Sequence, residues 1–131
     1  MITEHRINPY PRVMWVAVGE DFDKIKSEFQ FMYESDFKMT NKKIVDEYDA
    51  IVFQVSKDSK AGFLVFIVTD DSNRTLVHEA LHVALHIYED CDMDLRPGMD
   101  QEPLCYLDEY IYSLMEADVQ KYKTLELVNN D

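Results

Sequence analysis

The stretch from Ser72 to Glu89 contains His78-Glu79-Ala80-Leu81-His82, which reads H-E-x-x-H. Two histidines four apart on a helix stand one above the other on one face. Imidazole nitrogens placed in this way can fill two positions of a tetrahedral zinc ion. Glu79 is turned by about 100° from His78, so its carboxylate lies beside such an ion and can reach a metal-bound water without being a ligand. Shuffling this composition yields the pattern in about one chain in a hundred, so its helical setting carries much of the weight. The plain alternative is a helix with two ordinary histidines and a solvated glutamate.

The helix is well marked. Asp71 or Ser72 can cap its start, and Leu76, Ala80, Val83, Ala84 and Ile87 form an apolar stripe with no Gly or Pro between them. A zinc enzyme also needs a third protein ligand and an open position for water. His86 follows His82 by four residues, but the face has drifted by then. Three histidines on one straight helix converge poorly, so His86 reads as a support for the site or a partly buried histidine. Glu102, twenty residues after His82 and at the start of the next helical pattern, is the better candidate. Asp108 and Glu109 are the alternatives, and Asp100 a weaker one.

With Glu102 in place the pattern resembles the gluzincin branch of the zincin metallopeptidases. The phrase His-Glu-Ala-Leu-His…Gln-Glu-Pro-Leu-Cys-Tyr-Leu is also similar to small metallopeptidase-like proteins encoded by phages and prophages. The likeness spans Ala61 to Leu114. It implies a zincin-like (minigluzincin) domain, zinc held by His78, His82 and Glu102, and Glu79 as general base. It also implies that the strand before the motif helix, Phe63 to Thr69, is an edge strand that pairs with an extended peptide. Larger gluzincins often carry an acidic residue four positions after the ligand glutamate. Here that position is Tyr106, and Asp108 or Glu109 could stand in for it.

Length and charge narrow the possibilities further. The 131 residues suit one domain, residues 1–131, with a sizeable core. With 26 acidic against 13 basic side chains the formal charge is −13. Phosphate recognition needs a basic surface, so nucleic acid is not an expected partner, nor is an anionic membrane. A peptide or protein substrate is. The oligomeric state is not legible. The N-terminus has no apolar signal-peptide core, so a cytoplasmic location with reduced Cys91 and Cys105 is expected. Both cysteines read as packing residues.

The elements that must position the motif follow from the pattern. Arg12 to Val18 reads as a strand buried on both faces. Phe22, Ile25, Phe29 and Met32 share a helical face, predicting a helix capped by Asp21 or Asp23 and ending near Glu34. Residues 35–49 are a charged surface segment holding a short strand or a helical turn near Ile44. Ala50 to Val55 and Phe63 to Thr69 read as a hairpin around Ser-Lys-Asp-Ser-Lys-Ala-Gly. The opening strand, helix and strand suggest a parallel pair, to which the hairpin adds an antiparallel strand. The expected class is α+β, a small mixed sheet with packed helices.

Asp90-x-Asp92-x-Asp94 has the start of a calcium loop but fails at Leu95 and Gln101, leaving a solvated acidic loop. Pro97-Gly98 marks a turn that brings the last helix back from Asp100 to about Lys123, and residues 124–131 read as a frayed tail. On that helix Leu104, Leu107, Ile111, Leu114, Met115 and Asp118 share one side. Glu102, Tyr106, Glu109 and Ser113 share the other, so Glu102 points away from the metal if the leucine side packs on the motif helix. Either the helix is packed on both sides, or Glu102 precedes its regular part.

The expected chemistry is peptide-bond hydrolysis by a zinc-activated water, with Glu79 as general base and Tyr106, Tyr110 or Tyr112 as a donor to the developing oxyanion. The alternative is a catalytically inactive zinc-binding domain that serves as a protein-interaction module.

Overall fold

The computed structural model describes residues 1–96, 98 and 100–129. Five strands and five helices follow in the order β1 (Ile2–Arg6), β2 (Val13–Val18), α1 (Phe22–Glu28), β3 (Gln30–Phe31), α2 (Glu34–Phe37), α3 (Asn41–Glu47), β4 (Ala50–Lys57), β5 (Lys60–Ile67), α4 (Asn73–Asp90) and α5 (Glu102–Asn129). They form an α+β domain on one mixed sheet of order β1-β2-β5-β4-β3. No helix among the described residues is long and apolar enough to cross a membrane.

β2 is buried at every position, as a near-continuous apolar run requires of a strand covered on both faces. Its parallel partner is β5, with Val13 opposite Gly62 and Val18 opposite Ile67. β4 lies beyond β5, so the parallel pair joins β2 to the second hairpin strand rather than to the first. The β4–β5 hairpin turns on Asp58 and Ser59, both at positive φ, the backbone that a two-residue hairpin loop needs.

The sheet separates two apolar layers. Met14, Val16, Phe63 and Val65 face α4 and α5, while Trp15, Phe53, Leu64 and Phe66 face α1 and α3. Alternation along each strand produces this division directly.

Several elements depart from the sequence pattern. β1 pairs antiparallel with β2 and was not anticipated. α1 is capped by Asp21 and ends at Glu28, because Phe29 turns extended and leads into β3. Met32, placed by spacing on the buried face, is instead exposed. The segment 35–49 holds α2 and α3, the latter capped by Thr40 and anchored by buried Ile44. β5 is a central strand, not the edge implied for Phe63 to Thr69; the edges are β1, β3 and the part of β4 that the short β3 leaves unpaired. α5 continues to Asn129, past the expected end near Lys123. Of the expected Pro97-Gly98 turn only Gly98, at φ 87°, is described, and Pro97 lies outside the described residues. Asn130 and Asp131, at the end of the expected tail, also lie outside them.

Candidate metal and hydrolase site

α4 owes its start to a small polar knot. Ser72 Oγ accepts from the Thr75 N–H at 3.4 Å, and Asp70 accepts from the Ser72 N–H and the Thr75 hydroxyl. These contacts hold the Asp70 carboxyl below the usual carboxylate range, the Ser72 N–H first among them. Leu76, Ala80, Val83, Ala84 and Ile87 are all buried, so the expected stripe does fix the helix on the sheet.

That orientation leaves His78 and His82 exposed, on the flank toward the start of β4. Their Nε2 atoms stand 3.2 Å apart. Zinc–nitrogen bonds of about 2.0–2.1 Å at a tetrahedral angle separate two nitrogens by about 3.3–3.4 Å. The separation of the pair is thus close to that of two ligands on one ion. The same separation is an N–H···N hydrogen bond when one ring supplies the proton. Burial lowers the His82 pKa, reinforced by the charges of His78 and His86, so its ring favours the neutral form that a metal ligand needs.

Glu79 is 6% exposed, and no donor reaches its carboxylate among the described residues. Burial pushes its pKa up, and the charge on His78 opposes this in part. It borders two cavities. One, of about 280 Å³, runs along Ala50, Ile51 and Val52 past His78, His82 and His86. The other, of about 450 Å³, opens between Glu47, Asp49, Asp70 and Arg74. Tyr48 lines both.

β4 supplies the opposite wall. β3 pairs only with Val55 and Ser56, and the Met32 N–H adds one bond to the Gln54 carbonyl. Backbone direction alternates along an antiparallel strand, so Ala50 and Val52 turn their N–H and C=O groups the same way as Gln54. Beyond Gln54 no described strand covers that edge.

His86 shares the smaller cavity with the pair, its ring 6.5 Å from that of His82, whereas Glu102 does not gather with them. His86 stacks on Phe63 at 5.5 Å and 15°, a half-buried packing ring pointing at the sheet. Glu102 begins the regular part of α5 and is exposed. α5 returns antiparallel to α4. The Cys105 end lies by Tyr88, whose phenol is raised mainly by burial and in part by the Cys105 charge, and Lys123 reaches Asp71 at 3.4 Å. Leu107, Ile111 and Met115 turn inward, which sends Glu102, Tyr106 and Glu109 outward. Neither way of turning Glu102 toward the pair is realised. Among the described residues no three His, Cys, Asp or Glu side chains gather as a metal site.

Asp100 accepts from the Glu102 N–H and so caps α5. Asp108 is partly buried, with an Oδ1 that has no partner among the described residues. Tyr106 and Tyr110 are exposed, and the Tyr112 phenol is raised by burial and then by Glu116. Cys91 packs against the core, whereas Cys105 is exposed rather than a packing residue.

Tyr48, Glu47 and Arg74 border the site without having been singled out from sequence. A tyrosine directly before a strand edge that faces a motif helix is the signal that could have found the first. No family model matches the chain, and no curated protein or solved structure matches it.

Proposed function

We propose that this protein is a zinc-dependent peptide hydrolase of zincin-like design, with His78 and His82 holding the ion and Glu79 as general base. The observation that carries the reading is the 3.2 Å separation of the two Nε2 atoms, close to that of two ligands on one tetrahedral ion. Zinc, when bound, supplies a Lewis acid that polarises the substrate carbonyl and acidifies water. Glu79 takes the proton of the attacking water and passes it to the leaving nitrogen. Ala50 and Val52 hold an extended peptide by strand addition at the open β4 edge. The Tyr48 phenol donates to the oxygen on which negative charge develops. Glu102, the ligand implied by resemblance, is exposed on the outward face of α5, and the third protein ligand that a zinc enzyme needs is unassigned.

A second reading is a zinc-binding interaction module without hydrolytic activity. The lack of a third gathered donor among the described residues favours it. Glu79→Gln separates the two. It keeps the metal and loses at least about a hundredfold in peptide cleavage if Glu79 is the base. Equal cleavage by variant and wild type rejects that role.

A further inference from the structure

The larger cavity has a chemical bias that hydrolysis alone does not explain. Glu47, Asp49 and Asp70 line it beside a single cation, Arg74, which leaves the wall net negative. Two of the acids are already engaged. Asp49 accepts from the Thr69 hydroxyl at 3.0 Å, and Asp70 accepts from the Ser72 N–H. Glu47 is exposed at the end of α3, with no ion pair among the described residues. Acidic residues alone would mark only a solvated rim. Here the Glu79 side chain, more than nine-tenths buried and with no hydrogen-bond donor among the described residues, borders the same space, so its carboxylate oxygens are open to a group that enters it.

The cavity also sits where a peptide would pass. Its floor includes Tyr48 and Ala50, the start of the open edge, and it meets the smaller cavity at His78 and Glu79. A chain laid on β4 therefore has one side chain directed here, next to the reacting bond. About 450 Å³ accommodates a long side chain with its first water. The net charge of −13 attracts basic peptides to the surface in the first place.

We propose that this cavity is a subsite for a lysine or arginine side chain of the peptide held on β4, adjoining the bond cleaved. Glu47 meets the cationic head, while Asp49 and Asp70 supply a fixed negative field. The proposal rests on the hydrolase reading for the word "cleaved", but the binding preference is independent of it.

The test uses capped octapeptides of alanine with one lysine, norleucine or glutamate at successive positions. Affinity is measured on full-length Glu79→Gln and on wild type. Expected is a lysine peptide bound about tenfold more tightly than its norleucine counterpart at one position. Glu47→Gln should reduce that preference by about fivefold, the scale of one exposed ion pair, and Glu47→Lys should abolish it. A preference absent from both proteins, or one unchanged by Glu47→Lys, overturns the subsite. Lysine preference in a protein that cleaves none of the peptides upholds the subsite and removes the hydrolase.

Discussion

The position of Glu102 can be tested against the position of His82 by metal-linked stability. A ligand that binds only the folded chain at a hundredfold over its Kd adds about 2.7 kcal/mol. For a domain of this size that is a rise in Tm of about 10 °C. His82→Ala removes one of two imidazoles 3.2 Å apart and should abolish the rise.

Glu102 should behave differently. Glu102 is exposed on the face of α5 opposite buried Leu107, Ile111 and Met115, and it does not gather with the histidines as a metal site among the described residues. Glu102→Ala should therefore show the wild-type zinc shift, and so should His86→Phe, whose ring already serves as a packing surface. The assay is a thermal melt of protein purified without metal-affinity steps, with and without added zinc. A Glu102→Ala protein that loses the shift would refute this reasoning and restore the three-ligand set that resemblance implies.

Three further outcomes follow from single side chains. Tyr48→Phe should lower kcat by about a hundredfold with little change in KM, as loss of one oxyanion donor does; steady-state kinetics on any cleaved peptide decides it, and an unchanged kcat frees Tyr48 of the role. Asp108, its carboxyl raised by burial, binds its proton more tightly folded than unfolded. Its unfavourable contribution therefore grows as pH rises from about 4, the ordinary aspartate value, through the raised one. Asp108→Asn should make the protein more stable at pH 7 but not at low pH, measured by urea unfolding across that range. Gly62→Ala places a Cβ against the Val13 carbonyl in the parallel β2–β5 pair. It should cost about 3 kcal/mol in the same assay, and a neutral result would mean that the two strands do not lie so close.

What could be read from sequence was whatever periodicity or a cap announces locally. β2, the β4–β5 hairpin and α4 are visible because Val13–Val18, the Asp58-Ser59 turn and the Leu76-to-Ile87 stripe each state their own geometry. β3 was missed because two residues set no period, and Phe29 lies equally well on a helix face or in a strand leading away from it. The choice between β2–β4 and β2–β5 pairing is a tertiary one, made by covering all six residues of β2. The histidine pair was legible because one helix contains both members. Its surroundings were not, since Tyr48 and Arg74 reach the site from opposite sides of a sheet whose strand order the pattern left open. Glu102 shows the limit of spacing: twenty residues fix how far a chain can travel, not which way the next helix turns its face.

The order of the strands also bears on how a growing chain must be completed. β5 is the last strand to be synthesised, yet it occupies the middle of the sheet. Until Ile67 has emerged, a nascent chain holds a β1–β2 hairpin and a β3–β4 pair that cannot join. The inner edges of β2 and β4 are both open, and β2 is wholly apolar on the face of it. Such edges are templates for pairing with other chains. Both edges stay open to other chains until β5 is available, and arrival of that one strand closes the two at once. The same strand leads directly into α4, so the step that closes the sheet also brings the histidine helix to the edge it is to serve.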